Sequence, residues 1–461
     1  MSESITHNKT TVLLGTIALI FTLFVGVTSD AGIGRNGISG GRIAAFGSIF
    51  VNGRELVTTD AVITIDGQPA TESDLKLGQN VLVSGIVDSD LPSGVADTIF
   101  ANAVVAAAIT EIDLDELQVT VLGKVAFTDA ETVFEPLSGS NEFADFNTGQ
   151  HVSISGFRQS DGNILATRIE EIPAESQNLV VGTVRSLSGT TFKIDDLVID
   201  FSMAEEISGF DSGTVQEGDS VRVRSSTFGT NGELIASRLE FVPGIDSAVG
   251  DAGEIEGLIT EFTSASDFRI GGVQIATQEG TVFVGGGPAN LTSNVSVTVR
   301  GDFDTAGDLV AGKVEIRGSR IRVNGQVESM SGSELTVLGV PFLTTSSGIA
   351  RIVAGDFVRI RSFRNPPVTT PVLAEKIERR DREEDVRLQG FVSAIDANTV
   401  EIFGTAIHTT GDTRFFDAND DRITSVQFFK ATTPGTFVKV SSDESLSSSL
   451  ADVEISLMID N

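Results

Sequence analysis

Cysteine is missing from the 461-residue chain, which excludes disulfides, thiolate metal sites and a cysteine nucleophile. Trp and Tyr are absent too. Any recognition face must therefore draw on the 29 Phe residues, the backbone and polar side chains, without the amphipathic aromatics common at binding hot spots. Histidine is scarce, with only His7, His151 and His408. Positive charge is scarce as well: 32 Lys and Arg stand against 64 Asp and Glu, a net charge of −32. Such a surface repels nucleic-acid phosphates and anionic lipid headgroups. No nucleic-acid partner is expected, and a membrane only through the N-terminal segment.

What the chain does have is glycine, 48 residues of it, with abundant Val, Ile, Thr and Phe. That mixture favours many short strands, and the length exceeds one domain. At the N-terminus a polar stretch with Lys9 precedes the apolar run from Thr11 to Val27, and Val27 and Ser29 place small residues before a cut ahead of Asp30. Residues 1–29 read as a signal peptide. The alternative is an uncleaved membrane anchor over residues 11–27, close to the shortest spanning length of about 17 residues. Either way an exported protein of the bacterial periplasm or cell surface is expected. Cleavage would remove one base (Lys9) and one acid (Glu3), leaving the charge at −32. Residues 30–41 are Gly-rich, and Gly32, Gly34 and Gly37 have the GxGxxG spacing. A dinucleotide site needs that motif between a strand and a helix, and here an export segment precedes it. The stretch reads as a flexible linker.

From Ala45 onward the chain repeats itself. The first mark is apolar, any, Gly, any, apolar: Ala45-Gly47-Ile49, Val180-Gly182-Val184, Ile255-Gly257-Ile259, Val323-Gly325-Val327 and Leu388-Gly390-Val392. Val105-Ala107-Ile109 is a copy with Ala in the central place. The central positions lie 60 to 75 residues apart, the size of a small domain. Each unit then shows a strand ending near a Gly and a third strand directly after it, as at Val337-Leu338-Gly339 and Ile402-Phe403-Gly404, which is a hairpin signal. A short polar stretch follows, with room for a helical turn or two. Next comes an alternating pair: Val81/Val83, Val152/Ile154, Val221/Val223, Val297/Val299, Val358/Ile360 and Val438/Val440. Its period of two marks a half-buried fourth strand. A fifth strand is written LATRIE from Leu165, IASRLE from Ile235, VAGKVE from Val310 and LAEKIE from Leu373.

Five strands with a short helix before the fourth suit a small OB-like β-barrel. The expected architecture is all-β, a tandem array of about six such barrels at residues 42–104, 105–172, 178–242, 254–317, 320–379 and 386–456. Domains this small bury only about 60% of their unfolded surface, so neighbours are expected to pack. The links Pro243 to Gly253 and Arg379 to Arg387 look hinge-like, the latter a solvated connector of mixed charge.

The stretch Gly47 to Gly85 resembles a bacterial domain-of-unknown-function family, number 5666. The resemblance rests on Phe46, Gly47, Ser48, Ile49, Val51, Asn52 and Gly53, then Ile63, Ile65, Asp66 and Gly67, and finally Asp74, Leu75, Gly78, Val81, Val83 and Gly85. The other units are similar only through the reduced repeat. The second is expected to depart most, with Ala107 and a loop from Glu135 to Thr148. The resemblance implies an exported protein of tandem small β domains and brings no activity, ligand or catalytic residue.

Candidate chemistry is thin. A Ser/His/Asp arrangement needs a placed histidine, yet the places matching His151 in other units hold Asn80, Ser220, Ser296, Phe357 and Phe437. His151 reads as a strand-edge surface residue, and so does His408. Acid pairs such as Asp195/Asp196, Glu205/Glu206 and Asp420/Asp421 arise by chance among 64 acids. Asp417, Asn419 and Asp421 mimic the first three ligands of a calcium loop, but Arg422 and Phe428 stand where such a loop needs Gly and Glu. A polar turn is the plainer reading. In each fifth strand a base precedes an acid by two places: Arg168/Glu170, Arg238/Glu240, Lys313/Glu315 and Lys376/Glu378. These share a strand face and read as charge pairs turned to solvent, or else as a ligand-binding ladder. No catalytic residue and no cofactor is indicated. The chain reads as a non-enzymatic scaffold or binding module for an envelope protein or glycan. The alternatives are an envelope enzyme acting on polysaccharide through a carboxylate pair between barrels, and a calcium-stabilised adhesin.

Overall fold

In the computed structural model the described residues are 35–87, 93–114, 116–139, 141–210, 213–344, 352–364, 368, 370–374, 376–380, 386–417, 421–442 and 453–458. The expected signal peptide or anchor, His7, Gly32, Gly34, Asn419 and Asp420 lie outside them.

The second repeat shows the unit plainly. Its first strand, Val105–Asp113, pairs with Gln118–Val121, which turns into Lys124–Glu135. That third strand runs parallel to the fifth, Ile164–Glu171; the fifth pairs with the fourth, His151–Arg158, and the fourth returns to the first. The order 1-2-3-5-4-1 closes a barrel and removes the edges that five short strands would otherwise expose. The fourth repeat closes identically. The others keep the order with strands broken in two. In the first, Arg54–Val57 and Val62–Ile65 both lie parallel to Ser93–Ala101. In the third, the fifth strand is split into Leu234–Ile235 and Arg238–Phe241.

The alternating pairs fill the barrels: all twelve side chains are at most 3% exposed. Before the fourth strand come single 3-10 turns at Glu72–Asp74, Phe143–Asp145 and Pro288–Asn290. The sixth barrel has an α-helix there, Ser425–Ala431, closed by a capping box in which Thr424 and Gln427 bond each other's backbone N–H. Five of the six hairpins between second and third strands share one turn; in the third barrel only Asp195 has positive φ. Both central residues have positive φ at Asn52-Gly53, Leu122-Gly123, Gly271-Gly272, Leu338-Gly339 and Phe403-Gly404, the tight turn whose twist matches the strands it joins.

The repeated glycine belongs to this hairpin. A Cβ at Gly257 would stand 2.6 Å from Ile270, and one at Gly325 2.9 Å from Val337; Gly182 and Gly390 are blocked in the same way by Ile194 and Phe403. In register, these glycines lie opposite Val297, Val358, Val221 and Val438. The residue opposite Val81 in the first barrel is Gly41, not Gly47. The repeat therefore begins six residues earlier than its sequence mark suggests. The first strand is Arg35–Ala45, paired to Asn80–Val87, so residues 35–41 are sheet. This corrects both the linker assigned to residues 30–41 and the start of the first domain at residue 42.

The described residues form one compact unit, because first strands join barrels edge to edge. Barrels 2 and 3 meet through Val105↔Val180, and barrels 5 and 6 through Val323↔Leu388, both antiparallel. Barrels 1 and 4, distant in sequence, meet in parallel from Gly37↔Ala252 to Gly40↔Ile255. The array thus folds back on itself. Neither of the two hinge-like links is a free hinge along its length: strand begins at Ala252 in one, and Arg379, Arg380 and Arg387 are strand in the other.

Candidate functional site

Basic residues collect where barrels meet. Glu116 on barrel 2 takes both arms of Arg387 from barrel 6, at 2.8 and 2.9 Å, with Lys439 at 3.7 Å and Arg322 of barrel 5 at 3.8 Å. Burial opposes its charge, yet Arg387, then Arg322 and Lys439, outweigh burial and bring the carboxyl down to about 2. Glu378 is held at about 2 in the same way by Arg361, Lys376 and Arg380. Arg361, itself buried, donates to the Asp129 carbonyl of barrel 2 at 2.7 Å. Between barrels 1 and 4, Glu254 joins Arg54 (3.4 Å) and Arg300. Arg42 joins Glu256 (3.2 Å) and Glu131, and Glu131 also takes Arg317 at 2.7 Å. Between barrels 1 and 3, the turn Asp66-Gly67 lies against Arg222 and Arg224, Arg224 donating to the Asp66 carbonyl at 2.6 Å. Burial raises the Asp66 carboxyl although the Ala103 N–H, Arg222 and Arg224 all favour its charge.

The fifth-strand pairs form as the sequence suggests: Arg168–Glu170 at 3.1 Å, Arg238–Glu240 at 3.4 Å, Lys313–Glu315 at 2.9 Å and Lys376–Glu378 at 3.2 Å. Lys313–Glu315 and Arg238 keep the solvent face expected, and the other two pairs do not. Arg168 is buried and donates to the Leu77 carbonyl of barrel 1 at 3.1 Å, and Glu378 serves the seam between barrels 5 and 2. Arg387, read as part of a solvated connector, is buried. The period of two gave the shared strand face but not what lies above it.

Away from these self-paired clusters lies a groove of about 1030 Å³ between barrels 2 and 3. It opens because the two first strands pair over only two residues, Leu179↔Ala106 and Val180↔Val105, and then separate. Ala107 and Ala108 keep its floor low. Barrel 2 supplies Thr110, Lys124, His151 and the turn Asp161 to Asn163; the connection adds Glu175, Ser176 and Asn178; barrel 3 adds Asp196, Ser226 and Phe228. Lys124 is already committed, 2.5 Å from Asp195, which also takes Arg158 at 2.8 Å. Burial lowers the Lys124 ammonium even so. His151 is half-buried, and its Nδ1 is buried without a hydrogen-bond partner. Phe228 is 53% exposed.

The other sequence candidates do not converge. His408 is exposed, its Nδ1 3.0 Å from Thr399 Oγ1. The acid pairs separate, Asp195 into its ion pair, Asp196 to the groove and Glu206 to Arg238 at 2.7 Å. Asp417 accepts the Asp421 N–H at 3.0 Å, a closed polar turn. Among the described residues no three His, Asp or Glu side chains are grouped to hold a metal. Sequence reasoning missed the groove altogether. Its signal was the departure of Ala107 and Ala108 from the repeat, visible but mute without the neighbouring barrel.

A family model described as a domain of unknown function, DUF5666, matches residues 39–99, 107–170, 256–315, 324–378 and 389–450. No curated protein matches the chain. The second repeat, expected to depart most, is matched, and the third is not, although its strands close in the same order. With matched stretches covering more than half of its length, the chain belongs to the DUF5666 family, carrying five matched copies and a sixth recognisable by its strand order.

Proposed function

We propose that the protein is an exported, non-enzymatic scaffold and binding protein of the bacterial cell envelope. The groove between barrels 2 and 3 carries this reading: it is roomy and lined by polar side chains of both barrels, whereas the seam charges neutralise one another. A volume near the upper end of about 300–1,000 Å³ suits a small ligand or a segment of a larger one. The expected signal segment supports export, and the strongly acidic composition supports a partner that is not a nucleic acid.

The second reading, an enzyme acting on polysaccharide, draws on Asp161, Glu175 and Asp196 around the same groove. One experiment separates them. The full-length chain is incubated with envelope polysaccharides and envelope proteins, and both retention and polymer length are measured. Retention without shortening is expected. Shortened polymer would replace the binding reading with the enzymatic one, and retention of nothing would overturn both.

A further inference from the structure

We infer that the groove between barrels 2 and 3 takes a neutral or amine-bearing oligosaccharide. This deepens the binding reading above and rests on it.

Charge decides first. Lys124 is the one Lys or Arg lining the groove among the described residues; it and Arg158 share Asp195, which leaves one net positive charge, and Asp161, Glu175 and Asp196 outnumber it, so the site is negative. Phosphorylated, sulfated and uronic ligands are repelled. The lining chemistry comes next. Ser176 and Asn178 offer small donors and acceptors, and Thr110, whose hydroxyl donates to the Thr120 carbonyl, and Ser226, which accepts from Gln177, each keep further hydrogen-bonding capacity, which suits a ligand bearing a hydroxyl or amide at nearly every carbon and gives a lipid chain no continuous apolar wall. His151 also lines the groove, a half-buried imidazole on the barrel 2 wall.

Two features then favour a saccharide over a peptide. An extended peptide needs a free sheet edge to bond, but Val105–Asp113 pairs with Val180 and Leu179 at Val105 and Ala106 and with Gln118–Val121 from Ile109 on, so the edge left open between them is Ala107 and Ala108 alone, and Asn178–Thr183 pairs with Ser220–Ser225. The strand that ends a sheet there, Thr227–Phe228, is two residues long, too short to set a register. Phe228 itself is an exposed ring at the groove, in a protein with no Trp or Tyr to do the same elsewhere. A flat apolar ring beside polar groups matches the C–H face of a sugar.

The test is isothermal titration calorimetry of the full-length chain against cello-, malto-, glucosamine and N-acetylglucosamine oligomers, with oligogalacturonate as the acidic member. The expected result is saturable binding of a neutral or amine-bearing oligomer and none of oligogalacturonate. Phe228→Ala should weaken binding about tenfold, while Val426→Ala, an exposed apolar site on barrel 6, leaves it unchanged. Equal binding of oligogalacturonate, indifference to Phe228→Ala, or no binding of any oligomer would each overturn the inference. If envelope proteins are still retained when no oligomer binds, the binding reading survives and the glycan assignment alone falls.

Discussion

Single charged residues in this chain have opposite values according to what faces them. Glu116 meets a bidentate arginine and two further bases, so its removal takes the shared counter-charge from three cations in a seam. Glu116→Gln should destabilise the protein toward the lower end of about 3–5 kcal/mol, the cost of breaking a buried pair, read as a lower denaturant midpoint. Glu256 has a different balance: burial holds its carboxyl above the ordinary range despite Arg42 and Arg317. Glu256→Gln should cost less, and an equal or larger loss would contradict this ranking. The same logic sets the acid limb. Glu116 and Glu378 have folded values of about 2 against 4.5. A depressed carboxyl stabilises fully above its unfolded value and loses that contribution as pH falls toward the folded one. Thermal melts should therefore drop between about pH 4.5 and 2, and the Glu116→Gln variant should show a shallower drop.

At the scale of elements, the first strand and the hairpin it crosses form the repeating device. The glycine at the crossing exists because strand 2 passes where a side chain would stand, at Ile270 for Gly257 and at Val337 for Gly325. Gly257→Val should cost about 1–3 kcal/mol through overpacking. Gly312→Ala, in a strand with only the Arg300 carbonyl at 3.8 Å, should change stability by no more than about 0.5 kcal/mol. Chemical denaturation of the two variants checks the contrast. The device also explains why the first copy is out of phase in the sequence. Gly47 has a φ of 145° and no heavy atom near a Cβ; it serves a turn, and its surrounding apolar residues imitate the crossing pattern that belongs to Gly41.

At the scale of the whole molecule, barrel 2 holds the others. It reaches barrel 1 through Lys76–Glu135, barrel 3 through Val105↔Val180, barrel 4 through Arg317–Glu131, barrel 5 through Arg361 and barrel 6 through Arg387. Limited proteolysis should therefore spare the junctions at 101–105 and 242–252, where a string of independent beads would be cut. Mass spectrometry of the digest would show it; a ladder of single-barrel fragments would refute the clustered arrangement. By itself the sequence determined the strand class, the number of units, the filled interiors and the i,i+2 ion pairs, because these follow from alternation and turn chemistry within about 65 residues. It left undecided which barrels touch. The pairing of Gly37–Gly40 with Ala252–Ile255 joins segments more than 200 residues apart, and no local period records a partner at that distance. The groove depends on the same long-range geometry: Thr110, His151, Asp196 and Phe228 come from two barrels, and only the angle at which their first strands part turns ordinary surface residues into a site.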